Sequence, residues 1–377
     1  MDKQSNSQPW DDDTVPRIQL SCDPDNVEQS SLAIVEAMDS TFADDRNNVS
    51  FSRFTEGKTN ILAKVTKKDA EGNESAVLVR AYGQDTEILI DREREIKTHA
   101  LLASKGLASP LLARFENGIV YRFCPGDVCT ISSLEPDVDL LSNGNDSEPQ
   151  QWMKPSLWSV ITQWIGLTPD EVLTQSRSRE YLRAEFAWIV ERLVGKPDAP
   201  GRDLVFAHCD PLLGTSSVLR RPDHSPMKTL GGYAVPAPAA FELANHFGEW
   251  AGFECDYSKL PTQAQRRDFL KYYVRSRNHD EYGVHSSDAD QPDEVELLHK
   301  QVDLFRGVPG FRWGIWALIQ QHIATGDEDF DFADYAEKKF GEYEAWKAEL
   351  DGSRQERGDE RCFSEKRWAD EGSIPLL

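Results

Sequence analysis

The 377-residue sequence has no apolar run approaching the roughly 20 residues needed to cross a bilayer. Its first residues, MDKQSNSQPWDDD, lack the apolar core of a signal peptide, so we expect a cytoplasmic protein without membrane insertion. The six cysteines form no CxxC pair, which favours reduced, unpaired thiols over a disulfide framework. No repeat with a period of about 20–50 residues is present, which excludes a solenoid.

Basic residues are also few, with 42 Lys and Arg against 65 Asp and Glu and a net charge of −23. This balance argues against nonspecific binding to nucleic acid or to anionic membranes. It is compatible with a cationic small ligand, although most acidic residues of any protein simply face water. The hydrophobic content of 39% is ordinary for a globular protein, and the length allows a two-lobed unit with a substantial core.

The first part of the chain shows strand patterns around one helix. Residues 1–30 are polar and acidic and are predicted to form a flexible arm. Residues 31–124 contain VSFSRFTEGKTNILAKV, which alternates around a turn, then SAVLVRAY, the amphipathic helix DREREIKTHALL, and the strand-like PLLARF and GIVYRF. This order predicts a small antiparallel-sheet lobe with one helix.

The rest of the chain is mainly helical in its periodicity. Residues 125–156 are acidic and polar and are predicted to be a flexible connector. Residues 157–350 contain several helical segments, including RWGIWALIQQHI and FADYAEKKFGEYEAWKAEL, and residues 351–377 read as a charged tail. The predicted fold class is therefore α/β, of the α+β kind, with a larger and mainly helical second lobe.

The stretch from Phe206 to Trp250 carries the strongest catalytic candidate. It reads as an apolar strand, the triplet His208-Cys209-Asp210, a short hairpin, and a helix entered through prolines. In phosphotransferases an aspartate in such a loop accepts the proton of the attacking hydroxyl and aligns it with the γ-phosphate. A His-x-Asp triplet also occurs by chance, but this setting favours Asp210 as a base, with His208 bracing the loop.

Six blocks, in this order, carry a resemblance: FTEGKTN, VLVRAYGQDTEILIDRERE, KGLASPLLARFENGIVYRF, LVFAHCD, FELANHFGEWAGFECDYS and FRWGIWALIQ. With them the sequence resembles the choline/ethanolamine kinase family, and its ethanolamine kinase branch most. The resemblance implies a two-lobed protein-kinase-like fold, ATP and Mg²⁺ as cofactors, and transfer of the ATP γ-phosphate to ethanolamine or a related amino alcohol. The alternative is a pseudokinase or repurposed relative that binds an amine or a protein partner without phosphoryl transfer.

The resemblance also assigns residues to the nucleotide. Backbone amides of a turn would face phosphate, a cation–carboxylate pair would orient the phosphates, and the interlobe hinge would hold adenine. The residues concerned are Gly57, Thr59 and Asn60 in the turn, Arg80 and Glu95 as the pair, and Tyr121 and Phe123 at the hinge. A plain hairpin is an equal alternative for the turn, since Glu56 stands where the family has a first glycine. Solvated surface residues are the alternative for the pair.

A second set of residues is implied for the ammonium head of the substrate. Cation–π contacts and charge attraction would hold the amine. The residues are Glu249, Trp250, Tyr257, Trp313 and Trp316. The alternative for the two tryptophans of RWGIWALIQQHI is that they belong only to the hydrophobic core. Asn245 and His246 are expected to brace the catalytic loop.

The positions that the family uses for Mg²⁺ are substituted. The asparagine expected five residues after Asp210 is Thr215, and the aspartate expected at the end of the second hairpin strand is Leu230. A glutamate expected two residues later is Gly232. Leucine cannot ligate a hard cation that demands oxygen ligands. We therefore assign no metal ligand and expect Mg²⁺ binding to be impaired.

Overall fold

The computed structural model describes residues 15–44, 46–54, 60–104, 108–123, 156–210, 219–220, 226–227, 232–282, 292–324 and 330–372. The chain divides into two compact units. Residues 1–129 and 214–232 form the first unit, and residues 130–213 and 233–377 form the second. The predicted α/β class, with a sheet in one unit and mainly helices in the other, is confirmed.

The first unit is built on a six-stranded sheet. Its elements up to residue 129 are β1 (Arg17–Ile18), α1 (Val27–Met38), α2 (Thr41–Asp44), β2 (Val49–Phe54), β3 (Asn60–Lys68), β4 (Glu74–Tyr82), α3 (Arg92–Ser104), β5 (Leu111–Phe115) and β6 (Gly118–Arg122). The strand order is β1-β5-β6-β4-β3-β2, and only the β1–β5 pair is parallel. The chain between β2 and β3 and between β5 and β6 is short, which suits antiparallel hairpins.

The two faces of this sheet pack against different helices, because successive side chains of a strand point to opposite faces. Val77, Val79 and Ala81 of β4 join the core cluster that includes Ile34 and Val35 of α1. Leu78 of the same strand joins a second cluster instead, with Ile96 of α3, Ile119 and Tyr121. The residues of β4 that alternate with Val77 and Val79 therefore face α3, and Arg80 is one of them.

The segment predicted as a flexible arm is folded from residue 15 onward. β1 pairs in register with β5, and Cys22 and Val27 are buried in the core of the first unit. The side chain of Asn117 also fixes the backbone of Cys22, accepting from its N–H at 2.8 Å and donating to its carbonyl at 2.9 Å. A few apolar residues among polar ones are enough to hold this segment. The predicted connector lies outside the described residues, except for Ser156.

The second unit consists mainly of helices around a two-stranded ribbon. In chain order the remaining elements are α4 (Leu157–Leu167), α5 (Arg179–Val194), β7 (Leu204–Ala207), β8 (Leu219–Arg220), β9 (Pro226–Met227), β10 (Val235–Pro238), α6 (Ala239–Gly248), α7 (Gln263–Tyr282), α8 (Pro292–Phe305), α9 (Val308–Ile323), α10 (Phe332–Leu350), α11 (Ser353–Arg357) and α12 (Phe363–Ala369). β7 pairs antiparallel with β10. β8 pairs antiparallel with β9, and these two short strands belong to the first unit.

Two glycines let α10 lie directly on the backbone of α9. A Cβ atom on Gly310 would lie 2.6 Å from the carbonyl oxygen of Lys339, and one on Gly314 would lie 2.9 Å from the ring of Phe340. α9 is buried from Val308 to Gln320, so this contact forms the centre of the helical unit. Small residues at such positions allow a close approach that a larger side chain would prevent.

The segment predicted as a charged tail contains α11 and α12, which pack against the second unit. The indole N–H of Trp368 donates to Asp303 at 2.7 Å. The buried guanidinium of Arg266 donates to the carbonyl of Trp368 at 2.9 Å and lies 4.1 Å from its ring. The charge pattern suggested a solvated tail, but the buried Trp368 and the hydrogen bonds around it hold this segment against the second unit.

Among the helices that the structure describes, none combines the length and the apolar character that a membrane span would require.

We expect Gly310→Ala to lower the free energy of unfolding by about 1–3 kcal/mol, because the added methyl group meets a backbone carbonyl that cannot move independently of α10. The control is Gly341→Ala in the middle of α10, where a Cβ atom would meet nothing within 4 Å. This change should stabilise the protein by about 0.5–1 kcal/mol through helix propensity. Urea unfolding of both variants measures the difference, and equal midpoints would contradict the close packing of α9 and α10.

Candidate active site

In the first unit the structure brings Arg80 and Glu95 together. Arg80 points from β4 toward α3, and its Nη2 lies 2.9 Å from Oε1 of Glu95. The two side chains are 10% and 2% exposed, so the pair is desolvated rather than a surface contact. The strand period of two explains why Arg80 faces α3, since it alternates with the residues of β4 that face α1. Glu95 precedes Ile96 of α3, which packs in the same cluster as Leu78 of β4.

A second arginine, which the sequence analysis did not single out, holds the other oxygen of Glu95. Arg92 Nη1 lies 2.9 Å from Oε2 of Glu95, and the guanidinium stacks 3.9 Å from the ring of Tyr82 and donates to the hydroxyl of Thr86. The i,i+3 spacing of Arg92 and Glu95 on α3 was the available signal. Glu95 is therefore fixed from two sides, and Arg92 is occupied by its own neighbours.

The other residues assigned to the nucleotide that the structure describes also lie in the first unit. Tyr121 is buried in the second cluster, with its ring 5.4 Å from that of His99, and burial raises the pKa of Tyr121. Phe123 is half-buried and faces the ammonium of Lys64 at 4.0 Å. Asn60 begins β3 opposite Tyr82. Gly57 and Thr59 lie outside the described residues.

In the second unit the candidate catalytic loop follows β7 and is held by Glu242 of α6. The carboxylate of Glu242 accepts hydrogen bonds from the backbone N–H groups of His208 at 3.0 Å and of Cys209 at 2.8 Å. Cys209 has a φ of 59°, in the left-handed region that side chains other than glycine rarely adopt. The buried carboxylate thus stabilises a turn that the sequence would otherwise disfavour.

Asp210 follows this turn with a half-buried side chain. Its backbone N–H donates to Nδ1 of His208 at 3.2 Å. The His208 ring is buried and accepts this bond, which agrees with a bracing role. The structure therefore presents Asp210 on a loop whose backbone is held on both sides of Cys209.

The two tryptophans of α9 lie together as a pair. Their ring centroids are 5.6 Å apart with the planes nearly perpendicular, and both side chains are buried. The indole N–H of Trp313 donates to Asn245 at 2.7 Å, and that of Trp316 donates to the hydroxyl of Tyr233 at 2.8 Å. Each tryptophan ring is thereby fixed by one hydrogen bond. Asn245, which was expected to brace the catalytic loop, bonds Trp313 here. Tyr233 was not singled out from the sequence.

Glu249 lies in an acidic and aromatic neighbourhood that already contains a cation. Burial raises the pKa of Glu249, and the nearby ammonium of Lys339 opposes that shift. Burial disfavours the charged form of Lys339, but Glu342, Tyr335 and Glu249 together hold its pKa well above the usual value. Lys339 Nζ lies 3.1 Å from Glu342 and 5.4 Å from the ring of Tyr335. Nothing in the sequence marked Lys339 as buried.

The remaining residues assigned to the amine, Tyr257 and Trp250, lie in the segment that follows α6. The Tyr257 hydroxyl donates to Oε1 of Glu342 at 3.0 Å, which connects it to the Lys339 neighbourhood. Trp250 instead contacts His246, with an N–H to Nε2 distance of 3.4 Å. In the described part of the chain no ring contact joins Trp250 to Trp313 or Trp316, so the structure does not bring these three tryptophans into one group.

Of the three positions expected to serve Mg²⁺, the structure describes only Gly232. Thr215 and Leu230 lie outside the described residues, and the leucine side chain has no donor atom at all. At Gly232 a Cβ atom would lie 2.6 Å from Cγ2 of the buried Ile90 and 3.0 Å from Oε1 of Glu95. The γ-methyl of a β-branched residue has little freedom to move away. A side chain at position 232 would therefore require Ile90 to shift.

Comparisons with known proteins agree with this arrangement of elements. The sequence model of the family described as Choline/ethanolamine kinase matches residues 51–344. A probable ethanolamine kinase of Nematostella vectensis is 34% identical over 351 residues, which cover 88% of this chain and 96% of the relative. Ethanolamine kinase 2 of Rattus norvegicus is 30% identical over 347 residues, which cover 87% and 84%.

Solved structures show the same fold. An ethanolamine kinase of Plasmodium vivax superposes with a TM-score of 0.69 at 22% identity, covering 86% of this chain and 89% of that one. A choline kinase of Cryptosporidium parvum superposes with a TM-score of 0.66 at 19% identity, covering 86% and 96%. The predicted two-lobed, protein-kinase-like fold is thereby confirmed. Because the family model and these relatives match most of its sequence, the chain belongs to the choline/ethanolamine kinase family.

Proposed function

We propose that this protein is a phosphotransferase of the ethanolamine kinase type, which transfers the γ-phosphate of ATP to ethanolamine or a related amino alcohol. The observation that carries the proposal is the loop of His208, Cys209 and Asp210, held by the two backbone hydrogen bonds to Glu242. Its curated relatives of comparable length are named ethanolamine kinases, which favours this substrate class.

In the proposed reaction Asp210 accepts the proton of the substrate hydroxyl as the oxygen attacks the γ-phosphate. Phosphoryl transfer asks the protein mainly for positioning and for charge stabilisation. Arg80 would supply positive charge to the ATP phosphates, in the orientation that Glu95 imposes at 2.9 Å. Arg92 would not contact phosphate, because its guanidinium is already engaged by Glu95, Tyr82 and Thr86.

For the amine we propose the neighbourhood of Glu249, Tyr257 and the Trp313–Trp316 pair. Aromatic faces and a carboxylate attract an ammonium group. Because burial raises the pKa of Glu249, an arriving cation would favour its ionised form. The buried Lys339 competes for the same negative charge. A small primary amine, which can also donate hydrogen bonds, therefore suits this neighbourhood.

The substitutions at the metal positions support a second candidate function, a pseudokinase that binds an amine or a protein partner without transfer. A metal ion supplies much of the charge neutralisation in this chemistry. Losing about 4 kcal/mol of transition-state stabilisation slows a reaction roughly a thousandfold. The Leu230 side chain has no oxygen donor, and an acidic side chain at position 232 would require Ile90 to shift. These observations favour weak activity or none.

Asp210→Asn should reduce the formation of phosphoethanolamine by at least about a hundredfold, because the amide cannot accept the hydroxyl proton. The measurement is phosphorylated product from the purified protein with ATP, Mg²⁺, and either ethanolamine or choline. Asp203→Asn, which replaces an exposed aspartate just before β7, is the matched control and should keep full activity. Robust turnover in the parent protein that disappears only in Asp210→Asn would exclude the pseudokinase.

ATP should raise the melting temperature of the protein by the same amount with and without Mg²⁺, since Leu230 and Thr215 offer an impaired metal site. Stabilisation by a ligand follows its affinity for the native state, so a thermal-shift titration reports binding without requiring turnover. A clear additional increase with Mg²⁺ would contradict impaired metal binding and favour the kinase.

Glu95→Gln should lower the free energy of unfolding by about 3 kcal/mol, because it leaves two buried arginines without their counter-charge. It should also weaken ATP binding, since Arg80 loses its orientation. Glu93→Gln on the same helix is the control: its partner Arg114 faces a 57% exposed carboxylate, and such pairs contribute about 0–1 kcal/mol. Urea unfolding and nucleotide titration of both variants measure these effects. Equal stabilities would show that the Arg80–Glu95–Arg92 cluster does not support the first unit.

A further inference from the structure

Arg312 is a buried cation with a single hydrogen bond to the rest of the described chain. It lies on α9 and is 1% exposed. Its Nη1 donates to the carbonyl oxygen of Cys209 at 2.8 Å. Its Nε and Nη2 are also buried and have no hydrogen-bond partner among the residues that the structure describes. A buried guanidinium is costly unless it is well compensated, so its one bond and its surroundings need a physical explanation.

Three aromatic rings surround the guanidinium and contribute to its compensation. The guanidinium carbon lies 4.3 Å from the ring centroid of Trp313, 4.8 Å from that of Trp164 and 5.5 Å from that of Tyr233. Ring faces attract a cation in a desolvated site. Arg312 therefore occupies one face of the Trp313 ring. An apolar side chain of similar length would fill this space without a desolvation cost, so packing alone does not account for the charge.

The hydrogen bond to Cys209 acts on the peptide unit that leads into Asp210. The carbonyl of Cys209 and the N–H of Asp210 belong to the same planar group. Arg312 holds its oxygen at 2.8 Å, and Nδ1 of His208 holds its N–H at 3.2 Å. The preceding N–H groups are held by Glu242. With both ends of this plane held, the Cα of Asp210, which lies in the same plane, is held as well, so the Asp210 side chain starts from a fixed position.

We propose that Arg312 is a positioning residue for the catalytic loop, which holds the left-handed turn at Cys209 and thereby orients the Asp210 carboxylate. The proposal rests on the proposed function in that Asp210 is taken as the base. The proposal can be tested separately from the proposed function, because the anchoring of the loop can be measured without turnover. Arg312 itself contacts no substrate, since its guanidinium is enclosed by the three rings and the loop.

The thiol of Cys209 reports directly on this anchoring, because it is fully buried in the turn that Arg312 holds. The test compares the parent protein with Arg312→Met and Arg312→Lys. Each is exposed to a maleimide under native conditions, and labelling of each cysteine is followed by peptide mass spectrometry. Cys255, buried elsewhere in the second unit, is the internal control, and the exposed Cys362 should react before Cys209 and Cys255 in every sample.

Arg312→Met should label at Cys209 about tenfold faster or more, with Cys255 unchanged, because a released loop opens locally. Arg312→Lys keeps the charge and one possible donor and should lie between the parent and Arg312→Met. In the transfer assay kcat of Arg312→Met should fall about tenfold or more with KM values within about twofold, and lysine should restore part of kcat. A purely structural role would instead accelerate both buried cysteines and lower the melting temperature.

Unchanged labelling of Cys209 in Arg312→Met would overturn the proposal, and so would equal acceleration of Cys209 and Cys255. If Arg312→Met does not fold, Arg312→Gln, which keeps a donor without the charge, should still label faster at Cys209 than the parent, and failure to do so has the same meaning. A parent protein without turnover but with the expected labelling pattern would refute the proposed function while leaving the anchoring by Arg312 established.

Discussion

The Glu242 carboxylate accepts hydrogen bonds from the consecutive backbone N–H groups of His208 and Cys209, and the candidate catalytic loop of the second unit depends on this constraint. α6 is apolar and almost entirely buried, so it places this carboxylate without freedom to adjust. The N–H groups compensate the buried charge, and the carboxylate in turn stabilises a non-glycine residue in a left-handed conformation. Neither partner would be stable in this environment alone, which makes the strand, the loop and α6 one cooperative structure.

The first unit solves a similar problem with different residues. Glu95 is nearly inaccessible to solvent and would be unfavourable there as a single charge, but an arginine meets each of its oxygens. The cluster keeps one net positive charge, a sign that suits a phosphate ligand. In both units, then, a buried carboxylate organises the candidate functional residue next to it, Arg80 in one case and Asp210 in the other. Lys339 shows the opposite arrangement, a buried cation among acids and aromatic rings.

Much of this could be predicted from the sequence, and the failures have a common cause. Periodicities of two and 3.6 located the strands and helices, and the six sequence blocks led to the family and to Arg80 with Glu95. Apart from Arg92, which lies three residues from Glu95, the residues that were missed have partners far away in the chain. Arg312 bonds Cys209 across 103 residues, and Trp368 bonds Asp303 across 65. Charged residues such as Lys339 resemble surface positions until the packing of helices is known. Polarity alone also predicted a flexible arm and a charged tail, although buried residues such as Val27 and Trp368 pack parts of both segments against the rest of the chain.

The space around Gly232 has a consequence for the history and the engineering of this site. The methyl groups of Ile90 occupy the room that a side chain at position 232 would need, so the two positions are coupled. An acidic residue at 232 would require Ile90 to shift or to become smaller, and a smaller residue alone would leave a cavity at this buried position. Each single step is therefore unfavourable although the pair together could be tolerated. Such coupling makes the present state difficult to leave, and a design that places an acid at 232 would have to change Ile90 as well.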